Sequence, residues 1–240
     1  MTIRYEAISE TGKIRRNNED MALVFNEFVR DSAVSFSFDM PDGIRFTAIV
    51  SDGMGGFDNG EIASEMATRS FSSFLSTLSE GLDENEVILH VKQWVKDINR
   101  EIIDNVDGTR MGCTFSGIFI YENKAFLLNI GDSRVYRIRY EHFKQLTTDH
   151  SERNRTGDDS IPSNLIYNAL GIDNAFIDIV PTYLVPGDKY IICSDGLYDM
   201  IDDSMIEKII TSGGGARQLV NAAINAGGED NVTVIILHIS

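Results

Sequence analysis

The sequence predicts an α+β protein in which two antiparallel sheets pack face to face with helices outside them. Three observations predict this. The order of elements is many short strands, two long helices, many strands again, then two short helices and a closing strand. Neither half of the chain carries a complete set of strands, so its 240 residues read as one domain, 1–240, rather than two. No repeat of solenoid or propeller length and no low-complexity tract points to another architecture.

The elements follow in order. Residues 3–9 alternate apolar and polar, as a half-buried strand does. A turn at 10–13 and a second at Asn17-Asn18 lead to a strand over 21–25. Residues 31–50 read as a hairpin: strands over 34–38 and 44–50 around a turn at Pro41-Asp42-Gly43. The run 46–50 is a buried strand that stops at Ser51 and delivers Asp52 at its tip. Gly53, Gly55, Gly56 and Gly60 follow, so the backbone there can turn sharply and come close to a ligand. Asp58 and Glu61 stand like a capping box ahead of a helix over about 60–79, whose apolar face is Ala63, Ala67, Phe71, Phe74, Leu75 and Leu78. A second helix, about 84–105, carries Ile88, Val91, Val95, Ile98 and Ile102 as its core-facing stripe, with His90 off it on the surface.

Strands resume over 113–121, 125–130, 135–139 and 143–146. The polar, aperiodic segment 151–164 reads as a mobile surface loop. A strand over 175–184, a turn at 186–188, a strand over 189–193, helices over 203–211 and 216–226, and a last strand over 232–239 complete the chain.

Composition is that of an ordinary globular protein, with 42% hydrophobic and 24% charged residues. A net charge of −16 argues against nucleic acid or an anionic membrane surface as partner. No apolar run reaches membrane-span length, and MTIRYEAISE lacks the apolar core of a signal peptide. Cys113 and Cys193 lie in or beside apolar runs, where buried free thiols are the default, and a reduced cytoplasmic setting fits.

One local pattern recurs. Asp52, Asp132 and Asp195 each follow an apolar run, and Asp20 and Asp230 each precede one. Any one of them alone reads as a surface acid at a turn. Five at strand tips can meet at one edge of a two-sheet sandwich, where buried carboxylates repel and need cations to stay ionised. Oxygen-only ligands select hard ions, Mg²⁺ or Mn²⁺, over zinc. Competing motifs fail: position 58 is Asp where a dinucleotide loop needs its third glycine, GxxxxGK[ST] is absent, and Arg134 follows Ser133 where a nucleophile elbow would run on to its closing glycine.

Taken together, the motifs Arg15-Arg16-Asn17-Asn18-Glu19-Asp20, Ser51-Asp52-Gly53-Met54-Gly55-Gly56 with Gly60-Glu61, Gly112-Cys113-Thr114, Ile130-Gly131-Asp132-Ser133-Arg134, Leu146 to Ser151, Ala169-Leu170-Gly171, Ser194-Asp195-Gly196-Leu197 and Asp230 to Val234 span the chain in order. In that order they resemble the type 2C metal-dependent protein serine/threonine phosphatases, in particular the bacterial-type members. The resemblance implies the family's four-layer α-β-β-α sandwich, two antiparallel sheets flanked by helix pairs. It implies hydrolysis of phosphoserine and phosphothreonine in proteins by a hydroxide shared between two Mn²⁺ or Mg²⁺ ions. Asp52 would bridge the pair, the Gly53 carbonyl, Asp195 and Asp230 would complete it, and Glu19 and Asp20 would act directly or through water. Asp132 matches the acid that holds a third ion, and Arg15 the phosphate-binding arginine.

Two departures stand out. Met54 occupies the place of a histidine proposed as general acid in animal members, so water would have to protonate the leaving group. The flap-like loop at about 151–164 is shorter than the family's. The implied partners are phosphoproteins, the products of a serine/threonine kinase, with a monomeric enzyme and neither nucleic acid nor membrane. The alternative is a catalytically silent, phosphatase-like regulatory binding protein, which would have lost an acid of the metal pair.

Overall fold

The computed structural model describes residues 1–41, 43–54, 59–104 and 110–240. Two six-stranded antiparallel sheets form its centre. The first is built from β4 (Ser32–Asp39), β1 (Thr2–Glu10), β12 (Val232–Ile239), β11 (Lys189–Cys193), β8 (Arg134–Arg139) and β9 (His142–Gln145), in that spatial order. The second orders β10 (Asp178–Thr182), β7 (Lys124–Ile130), β6 (Phe115–Tyr121), β5 (Arg45–Ser51), β2 (Met21–Val24) and β3 (Glu27–Val29).

Three apolar cores make four layers. Between the sheets, Ile3, Tyr5, Ile235 and Leu237 meet Val24, Phe46, Ala48 and Ile118. On the outside of the second sheet lie α1 (Gly60–Thr77) and α2 (Glu84–Asp104), through Ala67, Phe71, Val91 and Trp94. Outside the first sheet lie α4 (Asp195–Tyr198), α5 (Asp203–Thr211) and α6 (Ala216–Ala226), through Leu197, Ile206, Ile210 and Leu219. Central strands are therefore buried on both faces. In β12, Val232, Val234 and Ile236 turn to the helices and Ile235, Leu237 and Ile239 to the other sheet, so period-two geometry leaves no polar alternation to read.

The helices follow their apolar stripes, and α2 adds Trp94, packed edge-on to Phe71 with ring centroids 4.8 Å apart. No helix among the described residues is long and apolar enough to cross a membrane.

Several expectations are corrected. Residues 31–50 are not a hairpin: β4 pairs with β1 in one sheet, while β5 pairs with β2 and β6 in the other. The serine-rich β4 is mostly exposed and suits an edge, whereas β5 is buried along almost its whole length and suits a sheet centre. The hairpin in this region joins β2 to the unforeseen β3. Segment 151–164 contains a short helix, α3 (Glu152–Thr156), whose cap Ser151 accepts a hydrogen bond from Asn154 N. The strand expected over 175–184 shortens to β10, an edge position that tolerates Pro181. Asp42 of the expected turn, Gly55 and Gly56 of the glycine loop, and Asp58 of the expected capping box lie outside the described residues. The cap of α1 is Asn59, in a left-handed conformation and without a side-chain capping bond.

Candidate active site

The five strand-tip acids stand at one edge of the sandwich. Asp52 follows β5 and Asp20 precedes β2, two neighbours in the second sheet. Asp195 follows β11 and Asp230 precedes β12, two neighbours in the first. Asp132 follows β7. The two sheets are joined here directly: Ser194 Oγ donates to Asp20 Oδ2 at 2.7 Å.

Local bonding fixes each tip. Thr114 N donates to the Asp52 carbonyl at 2.9 Å, and Asp52 N donates back to Thr114 Oγ1 at 2.9 Å. Thr114 Oγ1 also shares a 2.7 Å hydrogen bond with Ser133 Oγ, which ties the Asp52 tip to the turn of Asp132. Asn231 does the same for the other sheet: its Oδ1 accepts from Glu19 N, and its Nδ2 donates to the carbonyls of Thr11 and Asn17. Arg30 holds the Asp20 backbone, donating from Nε to its carbonyl at 2.9 Å and from Nη2 to the Glu61 carbonyl at 2.8 Å.

The glycines beside the acids serve a purpose other than ligand approach. A Cβ on Gly53 would collide with the Gly60 carbonyl and stand 2.7 Å from the Glu19 carbonyl. One on Gly196 would collide with the Asn231 carbonyl. These glycines let strand tips press against neighbouring backbone, which is how the acids come together.

Burial makes the acids reluctant to ionise. Desolvation pushes Asp20 up to about 6, reinforced by Asp230 and opposed by the hydroxyls of Thr233 and Ser194. Asp132 rises to about 6 as well, through burial and then Asp149, with Arg134 acting against it. Asp52 and Asp195 are held well above the ordinary carboxylate range by burial and by the other acids. Glu19 is raised by burial, and Glu61 adds to the rise.

This donor set fits a hard divalent cation. Every candidate ligand is an oxygen, and Asp20 Oδ1 is a buried acceptor that receives no hydrogen bond from the described residues. Among the described residues no group of three His, Cys, Asp or Glu side chains already stands in ligating geometry, so the acids are neighbours that do not yet converge on one point. Arg15 reaches the same edge and pairs with Asp230, Nη2 to Oδ2 at 2.6 Å. Arg16 is exposed. Met54 N donates to the Gly112 carbonyl at 3.0 Å, and its methyl fills the space a Cβ on Gly112 would take.

Sequence reasoning did not assign Ser194, Thr114, Asn231 or Arg30 to the site. The first three lie inside the motifs already singled out, beside an acid, which was the available signal. Arg30 carried none. Arg134 was likewise unassigned although it closes the motif Ile130 to Arg134; it grips Asp149 through Nε and Nη2 and lies over the Tyr198 ring, while Tyr198 donates to the Asp132 carbonyl at 3.0 Å.

A four-layer sandwich with five acids gathered at one edge of its paired sheets has the donor chemistry of a metal-dependent hydrolase. The chain belongs to the protein phosphatase 2C family, whose profile matches residues 26–225, a span that includes Asp52, Asp132 and Asp195 and stops short of Asp20 and Asp230. It is 31% identical over 250 residues to the serine/threonine phosphatase stp of Listeria innocua, covering 95% of this chain and 93% of that one. The serine/threonine phosphatase of S. agalactiae superposes with a TM-score of 0.82 at 26% identity, over 99% of this chain and all of the other. The catalytic domain of the protein phosphatase PstP, in complex with two manganese ions, superposes with a TM-score of 0.76 at 26% identity over the full length of both.

Proposed function

We propose that this protein removes phosphate from phosphoserine and phosphothreonine in proteins, dependent on Mn²⁺ or Mg²⁺. The observation that carries this reading is the meeting of five buried or half-buried acids from both sheets, with one Asp20 oxygen left without a donor. Asp52, the Gly53 carbonyl, Asp195 and Asp230 would hold a pair of ions, with Asp20 and Glu19 directly or through water. Asp132 would hold a third. When bound, such ions supply Lewis acidity toward phosphoryl oxygens and a lowered pKa for water.

The chain's own residues do the rest. Arg15 binds the phosphoryl group through a planar fork matched to its oxygens, exchanging its contact with Asp230 to do so. Met54 has no proton to give, so the leaving oxygen takes its proton from water. Thr114, Asn231 and Arg30 keep the acid-bearing tips in place. The silent-binder alternative predicts a missing acid, and every acid of the set is present.

The substrates we infer are products of a serine/threonine kinase, met in the cytoplasm by a monomer of one domain with 151–164 as its flap. The net charge of −16 argues against nucleic acid as the main partner.

Release of phosphate from a phosphothreonine peptide and from p-nitrophenyl phosphate tests the reading. Turnover is expected with Mn²⁺ or Mg²⁺ and is lost on chelation. Asp52→Ala and Asp195→Ala should each remove several kcal/mol of transition-state stabilisation, about a thousand-fold or more in kcat, in a folded protein. Full activity after exhaustive chelation overturns it.

A further inference from the structure

The first sheet carries a polar cavity, of ≈ 540 Å³, on its outer face. Its floor is one cross-strand row. Arg4 on β1 is in register with His238 on β12, and His238 with Lys189 on β11. All three share the helix-facing side, because Ile8, Ile236 and Ile191, an even number of residues away on the same strands, pack under α5 and α6. The glycine turn 213–215 and Gln218 form the roof. His238 lies six residues along β12 from Val232, roughly 20 Å from the acid edge.

The roof's amides are already committed. Ala216 N donates to Glu6 Oε2 at 3.1 Å and Gly215 N to Gln218 Oε1 at 2.9 Å, while Gly214 N and Gly213 N donate to carbonyls of α5. Beside the Glu6 carboxylate, which Ala216 N engages, the cavity is lined by the basic side chains of Arg4, Lys189 and His238. Burial, then Arg4 and Lys189, push His238 down to about 4, with Glu6 alone acting the other way. Those are the charged groups that face the ring: Arg4 and Glu6 from β1 and Lys189 from β11, with the uncharged Gln218 and the glycine turn above. Arg4 and Lys189 thus stand on either side of a neutral imidazole, two strands apart on one face. In a chain of net charge −16, such a row at a cavity is suited to an anion.

We propose that this cavity binds a phosphate-type oxyanion, held between Arg4 and Lys189 over His238. Neighbouring strands are about 4.8 Å apart, so the backbones of Arg4 and Lys189 stand about 10 Å apart and their long side chains can close on one tetrahedral ion. Arg4 supplies two parallel N–H donors. Lys189 spends one proton on the Ile210 carbonyl at 3.3 Å and keeps two. An oxyanion there also favours protonated His238, which becomes a further donor. The ion is either free inorganic phosphate, which a phosphatase releases, or a phosphoryl group carried by a protein. The site stands apart from the acid edge, so its fate and that of the proposed activity are decided separately.

The test follows the His238 imidazole by NMR in the full-length, Mg²⁺-loaded protein, with its signals identified by His238→Gln. Its pKa is measured in NaCl, then in inorganic phosphate, sulfate or phenylphosphonate at equal ionic strength. Phosphate and sulfate should raise it by about one unit or more, a tenfold bias toward the protonated ring. Arg4→Gln and Lys189→Gln should each largely remove that anion-induced rise, with p-nitrophenyl phosphate turnover unchanged. A rise with phenylphosphonate too assigns the site to a phosphoryl group on a larger molecule, and a rise with phosphate and sulfate only assigns it to the free ion. No rise, a rise that NaCl reproduces, or a full rise in both variants overturns the proposal.

Discussion

Arg15 and Asp230 answer one another across 215 residues of sequence. In an isolated strand, neighbouring side chains point to opposite faces, so Arg15 and Arg16 should not both reach one site. Simple parity with Asp20 would favour Arg16, yet Arg15 is the one that pairs with an acid of the edge, Asp230; residues 11–20 form no strand and bend at Arg16 and Asn17, so strand parity does not hold there. Arg15→Lys should therefore raise KM clearly for a phosphopeptide, since an ammonium cannot copy the two-pronged contact. Arg16→Lys should change little. Steady-state kinetics of both variants check this, and a large effect at position 16 with none at 15 reverses the assignment. Asp132 is the other residue with a separable role. Its backbone is held by Tyr198 and its carboxyl lies among Asp149, Asp199 and Arg134. Asp132→Ala should lower kcat and remove one weak metal site from a calorimetric titration while the tighter pair remains. An unchanged metal count would leave Asp132 with a structural role only.

At the scale of elements, the second sheet depends on one close approach. Gly117 sits in mid-β6, opposite Ile49 of β5, and a Cβ there would collide with the Ala48 carbonyl and stand 2.9 Å from Ile49 Cα. Both faces of β6 are buried, leaving no direction for relief. Gly117→Ala should thus lower stability by about 1–3 kcal/mol, as overpacking does. Thermal or urea denaturation measures it, and a variant as stable as the parent would show that the sheet can separate locally. Most of the strands and the two long helices were readable because each rests on its own apolar pattern, whereas the three-residue β3 was not. The pairing of β4 was not, because a turn signal near 41–43 is equally compatible with a hairpin and with a crossing from one sheet to the other. Burial decides between them: β5 is apolar on both faces and needs neighbours on both edges, while β4 can end a sheet.

Across the whole molecule, a pH dependence follows from His238. Its folded-state pKa of about 4 lies below the unfolded value near 6.5, so folding favours the neutral ring. That contribution is complete above pH 6.5 and is lost as pH falls from there toward 4. In a buffer without phosphate, His238→Gln should flatten this limb of the stability curve and leave the region above pH 7 unaltered. Tm against pH for both proteins is the measurement, and parallel curves between pH 6.5 and 4 would show that the ring titrates freely in the fold.

The amino-acid sequence by itself determined the strand-tip acids, the two core-facing helical stripes and the order of motifs, since each of these is written in consecutive residues. The oxygen-only side chains of those tips were legible for the same reason. Only the tertiary structure decided which tips meet and how. The Ser194–Asp20 bond joins residues 174 apart in sequence, and nothing local in either segment signals its partner. The purpose of the glycines beside the acids was likewise hidden: composition shows freedom to turn, and only packing shows that Gly53 and Gly196 lie against Gly60 and Asn231. The row Arg4, His238 and Lys189 comes from three strands far apart in sequence, and strand register alone brings those charges side by side. Local structure follows from neighbours along the chain, whereas a site made of strand ends depends on long-range pairing, where burial of both sheet faces selects one register among many.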